Sequence, residues 1–279
     1  VKKPLYIFCN PKSGRYDEKK IGKLLDLARL QFGKCELTSN IGTLQTIRNA
    51  HVIIAGGDGT VHVVVNEADL ESNTFSVVAF GSGNDFVRNF PRRKMEDLLA
   101  EIEKEKFVSV DLLQINDKKA AVLAGIGFDA VVSDAAHKNK WNIPAIKYMV
   151  PVLKNMFGYR GIQMKIKGKD MNYTDCVFML SCGNGYRAGG GFKLFPKASL
   201  TDGKMDVLLI EPPTFWQKLK YIWLVNFGKH LELNIVKYVQ TDKISVELDV
   251  EDLYNTDGDV YRSKNMEISV LPGVFKLIM

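Results

Sequence analysis

The sequence predicts an α/β protein in two parts, a doubly wound N-terminal domain followed by an antiparallel sheet or sandwich. Three observations support this. Short β-branched runs alternate with helical stretches from Leu5 to Ile115, as in βαβ units. Two of these runs, His51 to Ala55 and Phe75 to Phe80, end in glycine-rich loops, Gly56-Gly57-Asp58-Gly59-Thr60 and Gly81-Ser82-Gly83-Asn84-Asp85. Beyond residue 116 apolar and polar residues alternate, the period of strands with one buried face.

Leu5 to Cys9 reads as the first strand, Asp17 to Gln31 as an amphipathic helix, Lys34 to Leu37 as a second strand and the residues around Leu44 as a short helix. The runs before the two glycine loops are continuous, as in parallel strands buried on both faces. Charged Arg92 to Lys106 predicts another helix, and Phe107 to Ile115 a strand that carries Asp111 out of the first domain. Strands are then expected at Lys119 to Phe128, Ile162 to Lys167, Asp175 to Cys182, Met205 to Ile210, Ile235 to Val239 and Ile244 to Leu248, interrupted by one or two helical insertions. The predicted domains are 1–116 and 117–264, with a last strand at about 265–279 completing the first.

A chain of 279 residues can bury one large or two modest cores. Its 46% hydrophobic and 25% charged content excludes a disordered chain, and no apolar run approaches the length of a membrane span. Val1-Lys2-Lys3-Pro4-Leu5 enters a strand at once, so no signal peptide is expected. Cys9, Cys35, Cys176 and Cys182 lack zinc or redox spacing and read as reduced, mostly buried thiols of a cytosolic protein.

The net charge of +6 is localised. Ala135 to Lys169 carries eight basic residues and no acidic one, interleaved with Trp141, Tyr148, Phe157 and Tyr159. Pro212 to Leu231 carries Lys218, Lys220, Lys229 and His230 among Phe215, Trp216, Tyr221, Trp223 and Phe227, again without a carboxylate. Such stretches suit peripheral association with an anionic membrane surface; the alternative is a solvated helix face whose aromatics belong to the core. No nucleic-acid recognition motif accompanies the charge, so nucleic acid is not an expected partner.

The glycine loops resemble a phosphate site. Glycines let the backbone approach a polyphosphate with its amides turned inward, and the following helix adds unpaired N–H groups at its positive end. Asp58 and Asp85 facing one crevice suit magnesium-bound phosphate. The alternative is two tight turns in which each aspartate only caps a helix. Lys12 and Arg15 stand in and beside the loop after the first strand, where they would either screen phosphate charge or cap a solvated helix start.

Asn10-Pro11-Lys12-Ser13-Gly14 follows the first strand and supplies a third loop. Together the three loops resemble the catalytic domain of the diacylglycerol kinase family, soluble lipid kinases related to sphingosine kinases and NAD kinases. Gly81 to Arg88 is similar to that family's Gly-Thr-x-Asn-Asp-Phe-Ala-Arg segment, and Gly125-Ile126-Gly127-Phe128-Asp129-Ala130 to its Gly-x-Gly-Phe-Asp-Ala. Asn184-Gly185, Gly189 to Phe192 and Pro196 to Val207 resemble its second-domain signature, and Thr256-Asp257-Gly258-Asp259 stands where it carries Asp-Gly-Glu. The resemblance implies a nucleotide-binding α/β domain, a β-sandwich domain and an active site in the cleft between them. It implies that ATP is the phosphate donor, held by Asn10, Pro11, Lys12, Ser13, Gly14, Thr38, Gly57, Asp58, Gly59, Thr60 and Ser82. Asp58, Asp85 and Asp111 match the family's catalytic aspartates, which hold Mg²⁺ or support the base, and Asp259 matches its proton acceptor. A structural magnesium falls on Asp202 with carbonyls near Ser199 and Lys204. Related bacterial lipid kinases suggest a homodimer.

The resemblance thus implies transfer of the ATP γ-phosphate to a hydroxyl of diacylglycerol or a similar membrane lipid. That chemistry needs a carboxylate base and donors around the γ-phosphate. Two alternatives are a soluble-substrate kinase such as NAD kinase and a nucleotide-binding module that has lost catalysis. The sequence departs from the family at three places. His62 and Val63 replace an Asn-Glu pair, His62 serving either as a substitute donor or as a helix-surface residue without a role. Asp259 is one methylene shorter than the family's glutamate, and Asp257-Gly258 before it also reads as an ordinary hairpin turn.

Overall fold

A computed structural model of the chain describes residues 3–11, 13, 16–81, 83–91, 93–138 and 144–279, the side chains of 144–149 excepted. In the first half, strands β1 (Leu5–Cys9), β2 (Glu36–Thr38), β3 (His51–Gly56) and β4 (Thr74–Ala79) run parallel in the order β2-β1-β3-β4. Every residue of β3 is buried, which accounts for its unbroken apolar run. Helix α1 (Glu18–Phe32) is capped by Asp17, which accepts from the amides of Lys19 and Lys20, and ends at Gly33 with a φ of 80°. It buries Ile21, Leu24 and Ala28, one stripe at helical spacing. Helices α2 (Ile41–Thr46), α3 (Asp58–Glu67) and α4 (Met95–Glu103) complete this half. Helix α4 begins at Met95, later than the charged run predicts, because Arg93 and Lys94 before it contribute no apolar face to pack.

The second half is a mixed-length antiparallel array. Its elements are β5 (Val108–Ile115), β6 (Lys118–Ala120), β7 (Leu123–Gly127), α5 (Phe128–Lys138), α6 (Pro144–Met156), β8 (Ile162–Gly168), β9 (Asn172–Val177), β10 (Met179–Gly183), β11 (Met205–Ile210), α7 (Phe215–Val225), β12 (Val236–Thr241), β13 (Lys243–Thr256) and β14 (Asp259–Leu277). Two predicted strands are each broken in two. Residues 119–128 divide into β6 and β7, and 175–182 into β9 and β10, where the Phe178 amide leaves the ladder to donate to Ile210 and its carbonyl accepts from Phe128. Among the described residues the α-helical insertions are three, α5, α6 and α7, because a helix formed by Phe128 to Lys138 follows β7 without a break.

Strand β14 ties the halves together. It pairs antiparallel with β13 and β5, and at its end Leu277 lies parallel to Phe75 of β4. Its pairing with β5 shifts register between Leu271 and Phe275, around Gly273 at a φ of 63°. At the seam Phe75 stacks on Phe275 with centroids 4.8 Å apart, and Phe86 meets Phe275 edge-on at 6.0 Å. These fully buried rings fix the loop that carries Asp85 onto the shared strand.

Candidate active site

The parallel order β2-β1-β3-β4 brings the segments after all four strands to one edge of the sheet, where α/β folds bind ligands. Asn10, Pro11 and Ser13 follow β1, and the Ser13 amide donates to the Asn10 carbonyl at 3.0 Å. Thr38 ends β2 and accepts from the Asn40 amide at 3.1 Å. Lys12, Gly14, Arg15 and Ser82 lie outside the described residues.

The two glycine loops touch through bare backbone. A Cβ on Gly57 would lie 2.7 Å from the Gly81 Cα, and one on Gly81 would lie 2.4 Å from the Gly57 Cα. Neither loop can accept a side chain there without moving the other. Asp58, in the first turn of α3, crosses this contact, and its Oδ1 accepts from the Phe86 amide at 3.1 Å. Burial by the second loop raises its pKa, opposed by the amides of residues 84–86 and aided by the charge of Asp257. Asp58 therefore shapes the second loop.

Asp85 is buried and accepts from the Gly190 amide through Oδ2 at 2.6 Å, a contact between the two halves of the chain. Its Oδ1 has no hydrogen-bond partner, the Arg88 guanidinium standing 3.8 Å away. Burial first, and the charge of Asp58 second, push the carboxyl up to about 6 despite Gly190, Arg88 and Arg187. Ser13 Oγ, Thr60 Oγ1 and Asn84 Oδ1 are likewise buried without partners. Hydroxyl donors and a bare carboxylate oxygen along one loop edge suit a phosphate with a hard cation.

A folded-state carboxyl raised from 3.8 to about 6 is a destabilising charge above that range, and its penalty vanishes as pH falls below the ordinary value. The variant Asp85→Asn is therefore expected to be more stable than the parent near pH 7.5 by up to ~3 kcal/mol, at about 1.4 kcal/mol per pH unit. The difference should close toward about pH 4. Urea unfolding at both pH values measures this, and an advantage that grows on acidification would contradict it.

The third group of residues sits at the hairpin between β13 and β14. Thr256 pairs with Asp259 across a two-residue turn in which Asp257 (φ 51°) and Gly258 (φ 103°) both have positive φ, as a type I′ turn requires. Sequence reasoning treated Asp257 only as part of this turn. Its carboxylate, 3% exposed, accepts from the amides of Ala121 (2.6 Å), Val122 (2.9 Å) and Leu123 (3.0 Å), pinning the hairpin to the start of β7. Nothing local marks this role, because the amides it caps lie 134–136 residues away in the chain.

His62 is buried, not on the helix surface. From α3 its Nδ1 lies 3.4 Å from Asp257 and its Nε2 3.4 Å from Asp259. The Asn66 amide holds the same turn, donating to the His62 carbonyl and to Lys119 of β6, both at 2.9 Å. On the other flank His137, near the end of α5, donates to the Gly258 carbonyl at 2.7 Å and lies 3.8 Å from Asp259. Burial alone would lower the His62 pKa, but Asp257 by hydrogen bond and charge, and Asp259 by charge, raise it overall against a smaller opposing effect of Lys118. The half-exposed Asp259 carboxylate is thus flanked by two imidazoles.

A histidine with a raised folded-state pKa contributes stability that is complete below its unfolded value and lost as pH rises through the folded one. His62→Gln removes that contribution. The parent's stability advantage over the variant should grow as pH falls from the alkaline side toward 6.5, the ordinary imidazole value at which the unfolded chain titrates. Chemical denaturation across that interval tests it, and a constant difference would show that the contact is not an ionic one.

Asp111 occupies a different position. Its Oδ1 accepts from Gly273 of the β14 bulge and its Oδ2 from Gly203, both at 2.7 Å. Its amide donates to Leu200, and its carbonyl accepts from the buried Asn184 side chain at 2.6 Å. Its carboxylate therefore ties the β14 bulge, through Oδ1, to the loop 199–204, through Oδ2. In that loop Asp202 accepts from the Lys204 amide at 3.1 Å and Ser199 Oγ from the Thr201 amide at 3.4 Å. Among the described residues no three His, Cys, Asp or Glu side chains converge as a metal group. A cation there would depend on Asp202 and backbone carbonyls. Asp58 and Asp85 interact directly, the hairpin joins them through His62 and Asp257, and Asp111 organises the neighbouring loop.

Comparison with known proteins identifies the two halves of the chain. Residues 4–115 match the diacylglycerol kinase catalytic domain, and residues 120–279 match the YegS C-terminal NAD kinase beta sandwich-like domain. The diacylglycerol kinase of Mycobacterium tuberculosis (strain ATCC 25618 / H37Rv) is 25% identical over 236 residues, 81% of this chain and 76% of that protein. A solved diacylglycerol kinase from Bacillus anthracis str. Sterne shares the fold with a TM-score of 0.75 at 22% identity, covering 99% of this chain and 96% of that one. An NAD kinase from Archaeoglobus fulgidus in complex with ATP shares it more distantly, with a TM-score of 0.57 at 13% identity over 99% of this chain and 93% of that one. At those identities the two structures speak for the fold alone: an α/β N-terminal domain followed by a C-terminal β-sandwich. With matched domains covering nearly its whole length, the chain belongs to the diacylglycerol kinase family of lipid kinases.

Proposed function

We propose that this protein transfers the γ-phosphate of ATP to a hydroxyl of diacylglycerol or a closely related membrane lipid. One observation carries the reading. Helix α3 bears Asp58 at its start, beside the loop edge, and His62 one turn later, beside Asp259. A single rigid element thus spans the distance between a phosphate-facing carboxylate and a candidate base.

In this reading the glycine backbones of the two loops cradle the phosphates, with Ser13 and Thr60 hydroxyls as donors. Asp259 accepts the proton of the lipid hydroxyl as the hydroxyl oxygen attacks the γ-phosphorus and the bond to the bridging oxygen breaks, releasing ADP; His62 and His137 orient the Asp259 carboxylate. Asp58 keeps the second loop closed on the first. Magnesium, when bound with the nucleotide, would neutralise phosphate charge. The bare Asp85 Oδ1 fits such a hard cation, and Asp202 with carbonyls near Ser199 and Lys204 fits a second one. Asp111, with both oxygens engaged by amides, acts by positioning the loop that carries Asp202.

The direct test is transfer of labelled γ-phosphate from Mg-ATP in detergent mixed micelles to diacylglycerol, with sphingosine, ceramide and NAD in parallel. Phosphatidic acid is the expected product. Label on NAD alone would move the chain to soluble-substrate kinases. ATP binding with no product would make it a nucleotide-binding module.

A further inference from the structure

The two basic aromatic stretches lie far apart in sequence but meet in space. The Phe157 ring, just past α6, stacks on Phe215 at the start of α7 with centroids 5.2 Å apart. Beside them the Lys218 ammonium, buried under α7, donates to the carbonyls of Met156 at 2.6 Å and Tyr159 at 3.3 Å. Lys218 therefore locks α7 against the end of α6 and is not a surface cation. Tyr159 and His230 also turn inward, Tyr159 onto Phe128 and Phe178, His230 onto the Leu194 carbonyl.

Tyr221 packs inward against His230 as well, and Trp141 and Tyr148 lie outside the described side chains, but five aromatics of the two stretches face out. Trp216 is 76% exposed and Trp223 65%, with Phe157, Phe215 and Phe227 each about half exposed. Along α7 and its end, positions 216, 219, 223 and 227 form one helical stripe, and on α6 Val150, Leu153 and Phe157 form another beside it. Phe215 meets Trp216, and Trp223 meets Phe227, at 5.2 Å each. Single exposed apolar residues need no explanation, but a contiguous aromatic face does. Lys154 of α6, Lys220 of α7, and Arg160 and Lys229 just past those helices are exposed cations. Among the described residues none of the four has an ion-pair partner within 4.0 Å, and neither 144–169 nor 212–231 contains a carboxylate.

We infer that the joined faces of α6 and α7 form a membrane-docking surface that inserts its tryptophans at the interface of an anionic bilayer. The choice of a bilayer rests on the lipid-kinase reading, but charge supports it independently. A second copy of the chain would meet this face across a two-fold axis and set its cations against themselves. An anionic leaflet complements the cations and accepts the aromatics, a pairing that suits tryptophan above other side chains. The surface also lies near the cleft: α6 packs on α5, and α5 delivers His137 to the flank of Asp259.

Tryptophan fluorescence reads this face almost alone, because the chain has three tryptophans and two of them are on it. In a Trp141→Phe background, vesicles of phosphatidylcholine with phosphatidylglycerol should shift the emission to the blue, and brominated lipid should quench it. Both effects should weaken with added salt. The double variant Trp216→Glu, Trp223→Glu should lose vesicle co-sedimentation ~10-fold or more. Because both side chains are exposed, it should keep its thermal midpoint and its transfer to short-chain diacylglycerol in detergent micelles. Absence of both shift and co-sedimentation in the Trp141→Phe protein overturns the proposal. Equal binding to pure phosphatidylcholine overturns the anionic partner. A blue shift on concentrating the protein without lipid, lost in the double variant with a halved mass in sedimentation equilibrium, would assign the face to a second copy. Failure of micellar transfer by the parent would instead count against the lipid-kinase reading, whatever the vesicles show.

Discussion

Asp259→Ala is expected to lower kcat for lipid phosphorylation by ~10²- to 10⁴-fold, the usual cost of removing a general base, with little change in ATP binding. The expectation rests on what Asp259 does not do. Its carboxylate is half exposed and anchors no backbone amide among the described residues, whereas Asp257, two residues earlier, holds the hairpin by three. The substitution should therefore leave the fold intact, which thermal unfolding can check alongside steady-state kinetics. Asp259→Glu restores the methylene that this chain lacks relative to its family and should remain within ~10-fold of the parent. Full activity in Asp259→Ala would remove the base assignment and turn attention to His62 or His137.

Asp58→Ala is the second large loss, and it should differ in kind. Its Oδ1 accepts from the Phe86 amide, and its carboxylate faces the amides of Asp85 and Asn84 as well. Alanine there leaves amides of the second loop without an acceptor, a cost of ~1–3 kcal/mol in stability. It also removes a charge from the phosphate edge, so kcat should fall ~10²- to 10³-fold, the range seen when one electrostatic contact to a transition state is lost. Two measurements separate the parts: urea unfolding reads the loop, and single-turnover transfer at saturating ATP reads the chemistry. Asp58→Asn, which keeps an acceptor without the charge, should recover most of the stability and little of the activity. Recovery of both would make Asp58 a purely structural anchor.

The N-terminal half was legible from pattern because its signals are local. Continuous β-branched runs, a helix with its stripe at Ile21, Leu24 and Ala28, and glycine at the ends of β3 and β4 each report the conformation of the segment that bears them. In the second half, alternation showed strands but not their ends. Nothing in residues 175–182 says that Phe178 leaves the ladder, since that depends on a carbonyl from β11. The length of β13 and β14 was also hidden: their pairing through fourteen and nineteen residues is decided by partners on both sides.

The site divides in the same way. The glycines at Gly57 and Gly81 were readable because close backbone approach demands that residue type. The roles of Asp257, His62 and His137 were not, because a carboxylate that caps three distant amides and an imidazole between two aspartates exist only after the hairpin, α3 and α5 have packed. Lys218 makes the same point from the opposite side: it reads as a surface cation, but lies buried against two carbonyls. By itself the sequence determined the parallel strands, the glycine loops and the inventory of carboxylates, all properties of short segments governed by sterics and periodicity. Only the tertiary structure decided which carboxylates anchor backbone and which stand free, and that α6 and α7 share one aromatic face, because burial and pairing between segments distant in the chain are set by the packed whole.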